Sequence, residues 1–189
     1  TLSPLQSILG SPLPSEGVTT GKFNMIVNDN GTFYLLNAIL QLMGFKNKVN
    51  LIPSTGVSSI PLLCNILMGW GLDFVVLLFR NDQEENIDEL LKNTIFKPGA
   101  NEREMIIIMP ENFRNSEDLL STLDFKNYIL KTREGIPMSN SDYIREKEIP
   151  RNFIFSRFLS EVMDGDIHLT DFDEETNENF RLLIDKLNG

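Results

Sequence analysis

The sequence carries an uninterrupted apolar stretch, FVVLLF, at residues 74–79. Continuous apolar runs of strand length are typical of strands buried on both faces of a parallel sheet, because a half-exposed strand alternates polar and apolar side chains. Charged residues follow directly from Arg80 to Glu85, as expected of a turn at the carboxyl end of a strand. The stretch therefore predicts a parallel sheet that is covered on both sides.

Shorter apolar runs on either side of this stretch alternate with segments of helical periodicity. Strands are expected at Asn24–Val27, Val49–Ile52 and Met105–Met109, and helices at Thr32–Met43, from Ser58 or Ser59 to about Met68, and around Ile87–Leu91. Parallel strands need crossover connections, which helices supply. We therefore expect an α/β fold, with an open, mainly parallel sheet and helices on both faces.

The pattern divides the chain into three parts. Residues 1–22 are rich in Pro, Ser and Gly and read as an irregular lead-in or linker, whereas residues 23–115 hold the α/β core. Residues 116–189 turn helical, with amphipathic helices expected at Asn152–Met163 and Glu175–Leu187, so we expect a helical C-terminal part packed on the core. Because the chain begins at Thr1 and not at Met, we expect a processed chain or a piece of a longer one.

Composition excludes several classes of protein. The 189 residues include 17 basic and 27 acidic side chains, a formal charge of −10, which disfavours a protein that coats nucleic acid but leaves a locally basic groove open. The single cysteine, Cys64, excludes a disulfide framework and a Cys-rich zinc site, and it suits a cytoplasmic protein. No apolar run reaches the roughly 18 residues of a membrane span, so no membrane association is expected.

Carboxylates stand near the predicted carboxyl ends of the strands, where ligands of open α/β sheets gather. The candidate ligands of a Mg²⁺ or Mn²⁺ ion are Asp29, Asp82, Glu117 and Asp118. The alternative is that these acids are solvated turn residues and helix-start acids. Nucleophile-elbow, Walker A and dinucleotide-binding patterns are absent, and His168, the only histidine, is expected to be structural or on the surface.

Over most of its length, from about Pro4 to Leu187, the chain resembles the C-terminal Toprim (topoisomerase–primase) region of the OLD (overcoming lysogenization defect) family. The resemblance is carried by LSPL at 2–5 with Leu9-Gly10, GKFNMIV at 21–27, ILMGWGLDFVVLL at 66–78, SEDLL at 116–120 with Asp124-Phe125, and TNENF at 176–180. It implies a metal-dependent DNA endonuclease of phage defence that is linked to an upstream ATPase domain and uses Mg²⁺ or Mn²⁺.

The resemblance also shows where this chain departs from the family's catalytic pattern. Where the family places a Glu and a second acid after the first strand, this chain has Asn28 and Thr32, and in place of the Asp-x-Asp after the third strand it has Phe79 and Asn81. The residues that the resemblance retains as catalytic are the pair Glu117 and Asp118, together with Arg151, which falls near the family's late lysine. Fewer negative charges weaken the binding of a hard cation, and arginine cannot transfer protons at neutral pH.

Three functions remain open on this basis. The first is a catalytically degenerate Toprim-like domain that needs no cofactor and serves assembly or nucleic-acid contact. The second is an active nuclease in which Asp29 and Asp82, each one position along from a substituted residue, act as displaced metal ligands. The third is a protein-interaction module whose acidic terminal helix, Glu175–Leu187, docks a basic partner or a second copy of the chain.

Overall fold

A computed structural model describes residues 23–83, Leu91 and residues 106–188. The predicted lead-in at residues 1–22 and most of the predicted helix around Ile87–Leu91 lie outside these described residues. None of the described helices is long and apolar enough to cross a bilayer.

The described strands form one parallel sheet. They are β1 (Phe23–Val27), β2 (Val49–Pro53), β3 (Phe74–Leu78) and β4 (Ile106–Ile108). Their order is β2-β1-β3-β4, and Met25 of β1 lies opposite Leu51 of β2 and Val75 of β3. Every residue of β3 is buried, as its unbroken apolar sequence predicts.

Helices connect the strands and make up the C-terminal part. They are α1 (Asn30–Leu42), α2 (Ile60–Gly69), α3 (Arg80–Gln83), α4 (Thr122–Asp124), α5 (Asn140–Glu146), α6 (Arg151–Asp164) and α7 (Glu174–Asn188). Short 3₁₀ turns lie at Val57–Ser59, Ser116–Leu119 and Leu169–Asp171, and a π-helical turn at Phe125–Leu130.

The segment after β3 differs from the predicted charged turn, because its first residues form the short helix α3. The backbone N–H of Phe79 donates to Asp82 Oδ2 at 2.8 Å, and the N–H of Asp82 donates to the Phe79 carbonyl at 3.1 Å. These reciprocal bonds satisfy backbone groups at the start of the helix, as a capping side chain does. Helical structure therefore begins immediately beyond the end of the strand.

Helices cover both faces of the sheet, as predicted. Along β1, Met25 and Val27 face a core shared with α1, α6 and α7, whereas Ile26 faces a second core shared with α2. Phe155 of α6 and Phe180 of α7 are fully buried in the first core. The C-terminal helices and one face of the α/β sheet therefore share a single apolar core.

Candidate functional site

The candidate site lies at the carboxyl ends of β1 and β3. These two strands are neighbours in the middle of the sheet, and the chain leaves them toward opposite edges. Such a reversal of strand order opens the crevice in which α/β proteins bind ligands. Asn28 and Asp29 follow β1 here, and Phe79 and Asp82 follow β3.

In this chain, a buried hydrogen bond closes that crevice. The side-chain amide of Asn28 donates to Asp82 Oδ1 at 2.7 Å, while Asp82 Oδ2 accepts the Phe79 N–H. Asn28 is 7% exposed and Asp82 is 2% exposed. The Phe79 ring belongs to the core between the sheet and α1, and the Asn81 N–H donates to the Arg114 carbonyl at 3.0 Å. Both oxygens of the Asp82 carboxylate therefore accept hydrogen bonds that connect the segment after β1 to the segment after β3.

The environment of Asp82 disfavours its charged form. Burial raises the pKa of this carboxyl group to about 6, although the hydrogen bonds from Phe79 and Asn28 oppose the shift. Within the described part of the chain, both of its hydrogen-bond donors are neutral amides. Burial therefore outweighs these hydrogen bonds and the nearby charge of Arg151 in setting the pKa of Asp82.

A second cluster, centred on Arg151, lies beside the first. Arg151 is the first residue of α6, and its Nη1 donates to Asp29 Oδ2 in an ion pair. Its Nη2 lies 2.7 Å from Glu117 Oε2, 3.0 Å from Ser116 Oγ and 3.2 Å from Thr32 Oγ1. One guanidinium thus connects the start of α1, the 3₁₀ turn at residues 116–119 and the start of α6. We call these five residues the Arg151 cluster.

The local sequence explains why Asp29 points toward Arg151. Asp29 is the N-cap of α1, and its Oδ1 accepts the N–H of Thr32 at 2.7 Å, which leaves Oδ2 for the guanidinium. Gly31 lies at the contact between the first turns of α1 and α6. A Cβ atom at Gly31 would stand 2.9 Å from Arg151 Cβ, so the absence of a side chain permits this close approach.

Glu117 is fully buried, at 0% exposure, and burial raises its pKa while Arg151 opposes the shift. Its Oε1 has no hydrogen-bond partner within the described part of the chain. Although burial disfavours the charged guanidinium, the carboxylates of Glu117 and Asp29 hold the pKa of Arg151 above its ordinary value. The cluster therefore keeps a permanent positive charge between two acids.

Asp118 takes no part in the Arg151 cluster, even though it adjoins Glu117 in sequence. Its Oδ2 accepts the N–H groups of Arg114 at 3.1 Å and Asn115 at 3.2 Å, and its Oδ1 accepts the N–H of Ser141 at 3.0 Å. These bonds fix the loop before the 3₁₀ turn and the start of α5. The carboxylate of Asp118 is thus occupied by backbone donors.

The four sequence-predicted metal ligands therefore do not converge on one point. Asp29 and Glu117 meet at Arg151, Asp82 pairs with Asn28, and Asp118 binds backbone N–H groups. Within the described ranges, no three His, Cys, Asp or Glu side chains come close enough together to hold a metal ion. Arg151 was singled out from the sequence; the roles of Ser116 and Gly31 were not.

An open cavity of about 540 Å³ adjoins the Arg151 cluster. The residues that line it include Asp29, Ser54 and Thr55 after β2, and Arg151 and Asn152 of α6. The Asp29 side chain is 36% exposed here, whereas that of Arg151 is 18% exposed. Solvent therefore reaches the acid more readily than the guanidinium that binds it.

The single cysteine and the single histidine are not among the residues of the Arg151 cluster or of the cavity beside it. Cys64 belongs to α2 and is fully buried in the core between that helix and the sheet, and burial raises the pKa of its thiol to about 12. His168 is exposed and precedes the 3₁₀ turn Leu169–Asp171. A buried thiol of this pKa is protonated and unreactive at neutral pH.

Comparison with known proteins identifies the fold. No protein-family model and no curated protein matches the sequence. The solved C-terminal region of the Burkholderia pseudomallei OLD protein is similar in structure, with a TM-score of 0.56 and 9% identity, over 88% of this chain and 98% of that chain. The chain has the fold of an OLD C-terminal region.

A solved C-terminal region of the Xanthomonas campestris pv. campestris OLD protein is also similar, with a TM-score of 0.45 and 9% identity, over 85% of this chain and 91% of that chain. The similarity to the Burkholderia pseudomallei structure confirms the sequence-based resemblance to the OLD C-terminal region at the level of the fold. A shared fold does not carry activity with it, because activity depends on the site.

Proposed function

We propose that this chain is the C-terminal, Toprim-like region of a cytoplasmic OLD-type protein that has lost metal-dependent DNA cleavage. An ATPase domain would precede it in the longer chain, and the region would serve assembly or contact with nucleic acid. Support for the longer chain comes from the solved structure that shares its fold, which is described as the C-terminal region of an OLD protein. Support for the lost cleavage comes from the site.

The observation that carries the proposal is the position of Arg151 between Asp29 and Glu117. These are the two candidate metal ligands that approach each other, and both bind the guanidinium. A hard divalent cation needs several oxygen ligands at roughly 2.0–2.6 Å and draws affinity from their negative charge. Here a fixed positive charge already neutralises those oxygens.

The remaining residues do not fit a Mg²⁺ or Mn²⁺ site either. Asp82 and Asp118 are bound by amide donors, Asn28 supplies no charge, and the Phe79 ring is buried in the core. A metal at this edge of the sheet would have to break these hydrogen bonds and the ion pairs of the Arg151 cluster. We therefore assign no reaction step to a bound metal.

The Arg151 cluster instead supports a structural role. Its members come from α1, the 3₁₀ turn at residues 116–119 and α6, which are separated widely along the chain. A buried, hydrogen-bonded charge network of this kind fixes the relative placement of its segments, since removing one partner leaves another charge buried and unpaired. The cluster therefore ties the helical C-terminal part to the α/β part at the sheet edge.

A nicking assay tests the proposal. The full-length protein, with its upstream region, is incubated with supercoiled plasmid in Mg²⁺ or Mn²⁺, and nicked and linear products are measured against metal alone. We expect no protein-dependent cleavage. Metal-dependent nicking that is lost in Glu117→Gln but kept in Glu178→Gln, an exposed acid outside the site, would refute the proposal.

A second candidate function is an active nuclease with displaced ligands. It is favoured by the open cavity, because Asp29 lines that cavity and its side chain is 36% exposed. The same assay distinguishes the two functions, with Asp29→Asn as the variant. Asparagine retains the capacity to cap α1 but removes the charge, so cleavage that disappears in this variant supports the displaced-ligand function.

The assembly role has its own measurement. Helix α7 begins with exposed Glu174 and Glu175 and carries the exposed Glu178 in its next turn. This acidic surface is suited to a basic partner or to a basic region of a second copy. Light scattering at increasing salt concentration would show an oligomer that dissociates with salt; a monomer at every salt concentration would leave only nucleic-acid contact.

A further inference from the structure

We propose that Arg151 is the resident cation of the sheet-edge site and that it excludes a divalent metal from Asp29 and Glu117. The inference deepens the proposed loss of cleavage and names its physical cause. It concerns the ion that the site contains, whereas the proposed function concerns the fate of DNA. The two are therefore measured by different experiments.

The chemistry of the site is that of a cation surrounded by oxygen. Two carboxylate oxygens, from Asp29 and Glu117, and two hydroxyl oxygens, from Thr32 and Ser116, accept from the guanidinium. Oxygen donors of these kinds are the ones that Mg²⁺ and Mn²⁺ prefer. The guanidinium donates directed N–H bonds to the same oxygens, and the three bonds made by Nη2 are 2.7 to 3.2 Å long.

The charge of the site makes Arg151 a permanent occupant. Arginine remains protonated in proteins, and this one is ion-paired with Asp29 and Glu117. A divalent ion at the same oxygens would meet a fixed positive charge in a buried environment, where repulsion is stronger than in water. Binding of the metal therefore requires Arg151 to leave.

Packing of the backbone and stem of Arg151 opposes that departure. Arg151 begins α6, and Phe155 and Phe158 of that helix are buried in the shared core. The Arg151 stem lies against Gly31, with room for no additional carbon between the two helices. A long side chain on the surface could swing away, but this one is held at the point where α1 and α6 touch.

The full-length protein provides the first measurement, a Mn²⁺ titration followed by the electron paramagnetic resonance signal of free Mn²⁺. We expect no binding that depends on Asp29 or Glu117, so the wild-type protein and its Asp29→Asn and Glu117→Gln variants give the same titration. A bound ion that disappears in either variant would overturn the inference. Binding that all three share lies at another site and agrees with it.

The second measurement tests whether free guanidinium ion from solution can take the place of the Arg151 side chain. Arg151→Gly removes the guanidinium and its stem, and we expect a lower Tm that low-millimolar guanidinium chloride partly restores, relative to tetramethylammonium chloride at equal ionic strength. The control is Arg145→Gly, whose exposed ion pair with Asp142 lies outside the cluster and should show no such recovery. Equal responses in both variants, or no recovery in Arg151→Gly, would contradict a resident guanidinium.

If Arg151→Gly does not fold, the Arg151→Lys variant is used to test the inference. Lysine preserves the charge but not the forked geometry, so we expect a folded protein with a lower Tm and still no Asp29-dependent Mn²⁺ binding. Mn²⁺ binding that appears in this variant and requires Asp29 would show that geometry, and not charge, excludes the metal, which contradicts the inference. DNA cleavage without such binding would refute the proposed function alone.

Discussion

The two clusters at the carboxyl edge of the sheet bury carboxylates in different ways. Between β1 and β3, Asp82 is held by neutral amide donors and its pKa rises to about 6. One step away, Asp29 and Glu117 share the guanidinium of Arg151. Hydrogen bonds alone leave most of the desolvation cost of a charge in place, whereas a cation offsets much of it. The comparison indicates that removing one partner of the Arg151 cluster is costly, because a charge is left buried without its counter-charge, whereas removing the charge of Asp82 is not.

The largest effect is expected from removing the shared cation. Arg151→Met should lower the free energy of unfolding by about 3–5 kcal/mol, because it leaves Glu117 buried without a counter-charge. Adding Glu117→Gln to this variant should recover part of the loss, since the unpaired charge is then gone. Urea unfolding measures both.

Arg145→Met is the matched control for this prediction, because its partner Asp142 is paired at the surface and exposed pairs contribute roughly 0–1 kcal/mol. A loss in Arg151→Met no greater than in Arg145→Met would show that the cluster is not the stabilising one.

The next effect concerns the pH dependence that Asp82 imposes. Its pKa is raised from 3.8 to about 6, so the folded state holds this proton more tightly than the unfolded chain. The contribution of Asp82 to stability should therefore fall as pH rises from about 4 to 6, by up to about 3 kcal/mol. Asp82→Asn should remove this dependence and equal or exceed the wild-type stability at pH 7.

Asparagine suits this position because the unpartnered Asn28 Oδ1 can accept from the new amide once the Asn28 side chain is flipped. Urea unfolding of both proteins across this pH range is the measurement. A stability difference between wild type and variant that stays constant with pH would show that Asp82 does not carry the effect.

A smaller loss is expected where the two helices touch. Gly31→Ala places a carbon 2.9 Å from Arg151 Cβ, so the start of α1 or of α6 must shift, at a cost of about 1–3 kcal/mol. Gly69→Ala is the control, because that position has open space around its Cβ and no positive φ. Thermal unfolding should separate the two variants; similar stabilities would mean that the contact is easily relieved.

The smallest effect should come from the hydroxyl groups of the cluster. Ser116→Ala removes an acceptor of Arg151 and a hydrogen bond to Thr32 Oγ1, so we expect a loss of about 1 kcal/mol. Ser160→Ala, an exposed serine on α6, should change stability by less than about 0.5 kcal/mol. A double-mutant cycle with Arg151→Met measures the coupling, and additive losses would remove Ser116 from the network.

Local pattern was sufficient for most of the fold. The apolar run at 74–79 identified the central strand, and the spacing of apolar residues placed α1, α6 and α7 within one or two residues of their observed ends. The prediction of a turn after β3 was wrong, because α3 begins there and the Asp82 carboxylate accepts the N–H of Phe79 at its start. An aspartate three residues after the end of a strand is a weak sequence signal for the start of a helix when the whole segment is charged.

The site was only partly accessible from the sequence. Order along the chain placed Asn28 and Asp29 after one strand and Asp82 after its neighbour, and the resemblance singled out Glu117 and Arg151. The resemblance did not predict that Glu117 and Asp118 would have different roles. In the structure Glu117 binds the guanidinium of Arg151, whereas Asp118 binds backbone N–H groups. Adjacent side chains point in different directions, and the turn geometry decides which one enters the site.

By itself, the sequence determined that this chain forms a parallel α/β sheet followed by helices, because apolar periodicity is set by neighbours a few residues away. Only the tertiary structure decided that Arg151 meets Asp29, 122 residues distant, and that Gly31 makes room for it. Such encounters depend on how α1 and α6 pack against each other. The charge that neutralises this site is therefore a property of the packing, supplied by a residue whose neighbours in sequence give no indication of its partners.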